Sequence, residues 1–335
     1  MNQLERVAAI DQMIGQTPLL RIDYRLDGVP GEVFAKYESE NMTGSIKDRM
    51  AIHTLRSAYR SGELQPGDQI VEASSGNTGI SFAALGAALR HPVRIYMPDW
   101  MSPERRNLIQ SFGAEVISVS REQGGFVGAV RWAEAWAEEH RDVFLPRQFA
   151  NQDNVEAHRQ YTGPEIIRQL ELFQRRPQAL VAGVGTGGSV MGIGRCLRAR
   201  WPDVAVHPLE PANSPTLRTG TCVGSHRIQG ISDEFIPTIV DLRELDEIVD
   251  VWDGDAILMA QKLCRALGLA VGISSGANLL GAIRVRQRLG AGATVVTLLP
   301  DSNKKYLSTD LCRSEPERPG YLTPQVELMG FAVVR

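Results

Sequence analysis

Short apolar runs rich in β-branched residues alternate with helix-length amphipathic segments along most of this chain of 335 residues. The strand-like runs fall at 33–37, 69–73, 93–97, 115–119, 180–182, 205–209 and 294–299. The helix-like segments fall at 47–61, 79–89, 103–112, 128–139, 164–172 and 254–267. Strands that alternate with helices pair in parallel, because the intervening helix carries the chain back across a face of the sheet. Several strand-like runs are apolar throughout rather than at every second position, as strands buried on both faces are. Ser102-Pro103 and Gly163-Pro164 mark helix starts, where proline lacks only an N–H the helix would not use. The pattern predicts an α/β protein of two three-layer domains with mainly parallel sheets. One sheet draws on roughly 45–145, the other on roughly 175–310 with the N-terminal 10–40, and the polar segment 147–154 crosses between them. Ligands in such folds bind beyond the carboxyl ends of the strands and between domains. Residues 313–335, with Glu315-Pro316-Glu317-Arg318-Pro319-Gly320 near their start, read as an appended, turn-rich C-terminal tail. Its apolar set (Tyr321, Leu322, Val326, Leu328, Met329, Phe331 and Val333) is too large to leave in water. It packs either on its own subunit or across a homodimer contact.

Bulk properties exclude several partners. Lysine and arginine number 36 against 39 aspartate and glutamate, a net charge of -3, so no overall basic field invites nucleic acid. No apolar run approaches the roughly 20 residues that span a bilayer. The start, Met1 to Arg6, lacks the basic stretch and apolar core of a secretory signal. Cys196, Cys222, Cys264 and Cys312 are scattered without Cys-x-x-Cys or Cys/His spacing. That speaks against a disulfide framework or a metal site and for a reducing compartment, the cytoplasm. Most of these cysteines read as small core residues.

Four segments carry chemistry. Lys47 lies in Asn41-Met42-Thr43-Gly44-Ser45-Ile46-Lys47-Asp48-Arg49, soon after a strand-like run. Thr43-Gly44-Ser45 permits a close approach of the chain, and Ile46 with Met50 gives an apolar flank. An amine in a desolvated or cationic setting loses basicity and becomes nucleophilic. Asp48 and Arg49 read as a helix-start acid and its surface neighbour. Ser74-Ser75-Gly76-Asn77-Thr78-Gly79 offers hydroxyls and amides at a helix start, which suits either a receptor for an α-carboxylate or an ordinary cap. Gly183-Val184-Gly185-Thr186-Gly187-Gly188-Ser189 leaves backbone N–H groups uncovered at a strand-to-helix junction. That suits a phosphate, although glycines there also serve close packing of helix on sheet. The same stretch fits Gly-x-Gly-x-x-Gly, with Glu210 ending the next strand where a ribose-binding acid would sit. A dinucleotide, however, leaves Lys47 and 74–79 without a role. In Gly272-Ile273-Ser274-Ser275-Gly276, Ser274 supplies a hydroxyl that can share a hydrogen bond with a ring nitrogen and leave the ring neutral. An imine-forming lysine among loops of free N–H donors is what an aldehyde cofactor bearing a phosphate requires.

In this order and spacing the segments resemble the cysteine synthase / cystathionine β-synthase family, fold type II of the pyridoxal-phosphate enzymes, which is tryptophan synthase β-like. The likeness runs from Ile14-Gly15-Gln16-Thr17-Pro18-Leu19 to Lys305-Tyr306-Leu307-Ser308-Thr309. It implies pyridoxal 5'-phosphate held through an imine on Lys47, with Asn77 on the ring hydroxyl and Ser274 facing the ring nitrogen. Gly185, Thr186, Gly187, Gly188 and Ser189 would surround the phosphate. Ser75, Thr78 and Gln148 would grip the substrate carboxylate, within a loop that includes Ser74 and Gly76. The same likeness implies a mobile small domain over 40–150, a large cofactor-binding domain of 10–39 plus 151–312, and a homodimer. The family reaction is β-replacement on a serine- or cysteine-type amino acid. Lys47 takes the Cα proton, a β-substituent leaves to give an α-aminoacrylate, and a small nucleophile adds to the β-carbon. Cysteine synthesis from an O-activated serine and sulfide is the first expectation.

One stretch departs from the family. After His226-Arg227-Ile228-Gln229-Gly230-Ile231, sulfide-using members carry small residues before Phe-Ile-Pro, whereas this chain has Ser232-Asp233-Glu234-Phe235-Ile236-Pro237. The loop borders the second-substrate pocket in the family. A carboxylate there, Asp233 above all, disfavours hydrosulfide and offers a base for water or an anchor for an amine; the alternative is an acid that faces solvent. The competing reactions use water, an amine or a thiol, releasing hydrogen sulfide or giving cystathionine- or diaminopropionate-type products. Serine or threonine deamination is a rival on the same fold. A catalytically weak interaction protein is another, but it predicts damaged cofactor residues, and none is evident.

Overall fold

The computed structural model describes residues 2–231 and 234–335. Helix α1 (Gln3–Asp11) begins at a capping box, in which Asn2 accepts the Glu5 N–H and Glu5 returns to the Asn2 N–H. A hairpin of β1 (Leu19–Leu26) and β2 (Val29–Tyr37) leads to α2 (Lys47–Ser61). A run of alternating elements follows: β3 (Gln69–Ala73), α3 (Asn77–Leu89), β4 (Val93–Pro98), α4 (Pro103–Ser111), β5 (Glu115–Val119), α5 (Gly125–Glu139) and β6 (Val143–Phe144). Then α6 (Asp153–Ala157), a π-helical turn (His158–Thr162) and α7 (Gly163–Leu172) form one continuous helical stretch. The alternation resumes with β7 (Ala179–Gly183), α8 (Gly188–Arg200), β8 (Ala205–Pro211), the short α9 (Thr216–Thr219) and β9 (Val249–Val251). It ends with α10 (Asp253–Leu267), α11 (Ile273–Leu289), β10 (Val295–Leu299) and β11 (Val326–Val334).

Two sheets result. The smaller, ordered β5-β4-β3-β6, is parallel throughout. The larger, ordered β11-β1-β2-β10-β7-β8-β9, is parallel from β2 to β9 and antiparallel across β11, β1 and β2. Apolar side chains from α10 and α11 pack on one face of the larger sheet and those of α7 and α8 on the other. Helices α2 and α3 cover one face of the smaller sheet and α5 the other. This is the α/β class of mainly parallel sheets that strand–helix alternation predicts. Helices α8 and α11 are not apparent from periodicity, and the reason is burial. Every residue of α11 from Ile273 to Ile283 is buried, so no polar stripe marks a 3.6-residue repeat.

The structure corrects three sequence readings. The C-terminal tail ends in an edge strand: Leu19 of β1 lies opposite Val334 of β11 and Leu26 opposite Val326. Asp255 fixes the preceding turn by accepting the Leu322 and Thr323 N–H groups at 2.8 and 2.9 Å. Arg49 is buried rather than at the surface, whereas Asp48, also buried, is the first-turn acid of α2 as expected. Arg49 donates to Glu38 at 2.6 and 2.9 Å and to Glu165 at 2.8 Å, and Lys36 meets Glu165 at 2.7 Å. Burial alone would push the Glu165 carboxyl up, but Arg49 and then Lys36 hold it down at about 2. A buried charge is tolerable only when paired, and these partners are remote in sequence. Finally, Cys222, Cys264 and Cys312 are exposed and Cys196 is half-buried, so the cysteines are not core residues.

Candidate active site

An inner cavity lies where the carboxyl ends of both sheets meet, lined by residues from each of the four motif segments. Lys47, Ser74, Ser75, Gly76, Asn77, Thr78, Gln148, Gly185, Thr186, Gly187, Ser189 and Ser274 all line it. Gly188 is buried directly behind, as the first residue of α8. Ser232 and Asp233 lie outside the described residues. The inner cavity opens through Ser75, Arg105, Phe126, Gln229, Gly230 and Ile231 into an outer cleft of about 570 Å³. Glu234, Trp100 and Arg121 belong to the outer cleft.

Lys47 is the first residue of α2. The turn before it is pinned: the Ile46 N–H donates to the Pro300 carbonyl at 2.8 Å, and Gly44 adopts a left-handed φ of 81°. Asp48 accepts the Thr43 N–H at 2.6 Å and the Thr43 and Ser81 hydroxyls at 2.5 and 2.6 Å. These bonds fix the backbone on both sides of the lysine.

The loop between β7 and α8 forms a cup. Gly187 has φ 89°, and a Cβ on Gly185 would lie 2.4 Å from the Gly230 carbonyl oxygen. The cup therefore approaches its contents with bare backbone. Helix α8 has no side-chain cap from Gly187, and its Gly188 N–H makes only a long 3.5 Å contact with Thr186 Oγ1, so its first turn can receive an anion. The two hydroxyls of the cup are held from outside it. Asn154 donates to Thr186 Oγ1 at 2.8 Å, and His158 Nε2 lies 3.2 Å from Ser189 Oγ. Burial, with Arg49 and Lys47 nearby, lowers the His158 imidazole to about 3, so its ring is neutral at physiological pH.

Opposite the cup stand the 74–78 loop and Gln148. Ser74 Oγ accepts the Gly76 and Gly79 N–H groups at 3.1 and 2.9 Å, so its hydroxyl serves the turn. Thr78 donates to Gln148 Oε1 at 2.6 Å, and Gln148 Nε2 donates to the Ala73 carbonyl at 2.7 Å. Buried Glu72 accepts the Ala73 and Gln148 N–H groups at 2.9 and 3.1 Å. The Asn77 amide is oriented by charge: Lys305 Nζ donates to its Oδ1 at 2.7 Å, while its Nδ2 donates to Asp301 at 2.7 Å. Tyr306 also donates to Asp301. Ser274 is buried in the first turn of α11, one turn before Asn278, which accepts the Gly183 N–H at 2.8 Å.

Glu72, Asn154, His158, Asp301 and Lys305 escape a reading of the sequence, since each is recognisable only by its partner in space. Glu210, the ribose-binding alternative, is buried and accepts the Leu217 N–H at 2.7 Å. Among the described residues no cluster of His, Cys, Asp and Glu is arranged to hold a metal. No described helix is long and apolar enough to cross a membrane. A primary amine, a bare-backbone anion cup and the Ser274 hydroxyl, all lining one cavity, fit the phosphate-bearing aldehyde that the motifs imply.

Comparison with known proteins agrees. The model of the pyridoxal-phosphate dependent enzyme family matches residues 10–301. A cysteine synthase of Staphylococcus aureus (strain Mu50) is 40% identical over 302 residues, covering 90% of this chain and 96% of that protein. A hydrogen sulfide-producing enzyme from Fusobacterium nucleatum is 50% identical, with a TM-score of 0.96 and 99% of both chains covered. An aspartate-to-asparagine mutant of a hydrogen sulfide-producing enzyme, in complex with an α-aminoacrylate intermediate, superposes with a TM-score of 0.97 at the same identity and coverage. The cavity chemistry and these likenesses lead to one conclusion: the chain belongs to the pyridoxal-phosphate-dependent enzyme family, with that cofactor and with the cysteine synthases among its relatives.

Proposed function

We propose that this enzyme releases hydrogen sulfide from L-cysteine by β-replacement, with water as incoming nucleophile and L-serine as the second product. When bound, pyridoxal phosphate supplies an electron sink that acidifies the Cα proton and lets the β-substituent leave. The chain supplies the remainder. Lys47 would hold the cofactor through its amine and would serve as the base for the Cα proton. Gly185 to Ser189 would hold the phosphate, and Asn77 would bind the ring hydroxyl. Ser274 would offer the ring nitrogen a hydroxyl rather than a carboxylate, which would leave the ring neutral and suit expulsion of a β-substituent. Ser75, Thr78 and Gln148, backed by Ser74 and Gly76, grip the α-carboxylate. Movement of 40–150 against 10–39 plus 151–312 closes the cleft and excludes bulk water. Asp233 takes a proton from the one water that attacks the β-carbon. The enzyme works as a cytoplasmic homodimer, and its four free cysteines suit a reducing compartment.

The observation that carries this reading is the acidic pair Asp233-Glu234 in the loop whose described neighbours Ile231 and Glu234 line the outer cleft. The likeness to a hydrogen sulfide-producing enzyme over 99% of both chains supports it. Cysteine synthesis is the second reading, favoured by the 40% identity to the S. aureus cysteine synthase. The two separate on assay. With L-cysteine alone, sulfide and L-serine should appear in equal amounts. Asp233→Asn should release one sulfide per site in the first turnover, then form serine about 10²–10⁴-fold more slowly. Full turnover by the variant removes Asp233 from the reaction, and pyruvate with ammonia in place of serine replaces the reading by deamination. Fast turnover only with O-acetylserine and sulfide makes the enzyme a cysteine synthase.

A further inference from the structure

Both hydroxyls of the anion cup are held by one segment that contributes nothing to the cup itself. Asn154 lies in α6 and His158 opens the π-helical turn, and both side chains are almost fully buried. Asn154 Nδ2 donates to Thr186 Oγ1 at 2.8 Å and to the Gln148 carbonyl oxygen at 2.9 Å. One amide thus spans the cup and the residue that grips the substrate carboxylate. His158 Nδ1 lies 2.9 Å from Thr162 Oγ1 and its Nε2 lies 3.2 Å from Ser189 Oγ.

The packing leaves these side chains no freedom. A Cβ on Gly188 would lie 2.0 Å from Asn154 Oδ1, and one on Gly192 would lie 2.7 Å from the His158 Cβ. Two glycines on α8 therefore admit this segment against the cup. A π turn inserts one residue per turn and re-aims the side chains around it, and such turns concentrate at functional sites.

We infer that Asn154 and His158 are positioning residues that set the cofactor's phosphate cup, and that Asn154 makes phosphate seating and substrate-carboxylate binding one mechanical unit. The inference rests on the reading of 185–189 as the phosphate site and of Gln148 as a carboxylate ligand. A neutral His158 carries one N–H. With that proton on Nε2 it donates to Ser189 Oγ, leaves the Ser189 O–H to donate to a phosphate oxygen, and takes the Thr162 O–H on Nδ1. Ser189 then faces the dianion as a donor. Asn154 aligns the Thr186 hydroxyl by the same logic, and any shift of Thr186 is passed to the Gln148 backbone.

The test uses holoenzyme and two readouts: cofactor retention during dialysis against inorganic phosphate, and the split of kcat and KM for L-cysteine at saturating cofactor. His158→Ala should weaken retention about tenfold and leave KM within about twofold, while His158→Gln, which keeps a donor, recovers most of the loss. Asn154→Ala should weaken retention and raise KM, each about tenfold, with kcat within about threefold. Asn154→Ser serves if the alanine variant does not fold, since a hydroxyl is too short to span both partners. Unchanged retention in His158→Ala, or unchanged KM in Asn154→Ala, overturns the inference. Thr186→Ala and Ser189→Ala identify which premise failed. If they too retain cofactor normally, the phosphate site itself lies elsewhere; if they lose it, only the role of the buried segment is wrong.

Discussion

Glu72 shows how a residue outside the motifs sets their behaviour. Burial pushes its carboxyl from an ordinary 4.5 to about 7, against the pull of the Ala73 and Gln148 N–H groups and Arg147. Between those values the folded chain holds a proton that the unfolded chain has released, so stability falls as pH rises through the window and is flat above it. The full cost above the window is on the order of 3 kcal/mol. Glu72→Gln removes the titration, so its stability relative to the parent should improve between about pH 5 and about pH 8. Denaturant midpoints of both proteins at the two pH values check this, and a pH-independent difference contradicts it. Legibility in the sequence divides along the same line. Lys47, Asn77 and Thr186 are flagged by glycines and hydroxyls beside them in the chain. The partners that orient Asn77 are 224 and 228 residues away, and no local pattern points to them.

At the scale of elements, the β7–α8 junction carries the proposed phosphate site and is shaped by a glycine no other residue replaces without strain. Gly187 caps α8 at φ 89°, and a Cβ there would lie 2.1 Å from Val240 Cγ2. Gly187→Ala combines a left-handed alanine with a clash, a cost of about 1–3 kcal/mol that also tilts the first N–H groups of α8. Thermal melting should show the loss, and cofactor reconstitution should show at least about a tenfold drop in affinity. A variant with parental affinity would mean that the helix start does not carry the anion. Elements marked by an amphipathic repeat or a short apolar run were legible, as α2 and β3 show by matching the bounds their patterns predict. Helices buried over most of their length, α11 above all, were not, since burial erases the periodicity by which a helix is known.

For the whole molecule, the edge strand β11 closes the larger sheet over β1. Tyr321, Leu322 and Val326 are buried, and Lys262 donates to the Thr323 and Val326 carbonyls at 2.7 Å. Each large side chain removed from such a site costs roughly 1.5–3 kcal/mol, so truncation after Arg313 should consume most of a net stability of about 5–15 kcal/mol. The shortened chain should be insoluble or unfolded by circular dichroism, and a soluble protein with the parental melting temperature would refute the assignment. Sheet order was beyond reach from the sequence, because the pairing of β1 with β11 joins the two ends of the chain.

Among its described residues, the stretch between β8 and β9 contains only α9 and a 3₁₀ turn at Leu242–Glu244. It is fastened at one end by Arg227, which donates to Asp253 at 2.9 Å and Glu315 at 2.6 Å, and at the other by the Ile239 N–H on the Phe149 carbonyl. Between those fastenings it reaches the outer cleft through Gln229, Gly230, Ile231 and Glu234. On the function proposed above, choice of the incoming reactant would fall largely to this stretch, which is also tied into the larger sheet's cores through Leu217, Ile228, Ile231 and Ile239. Changes at its cleft-facing positions such as Gln229 and Glu234 would then alter the product, whereas changes at its buried positions would reach the scaffold itself.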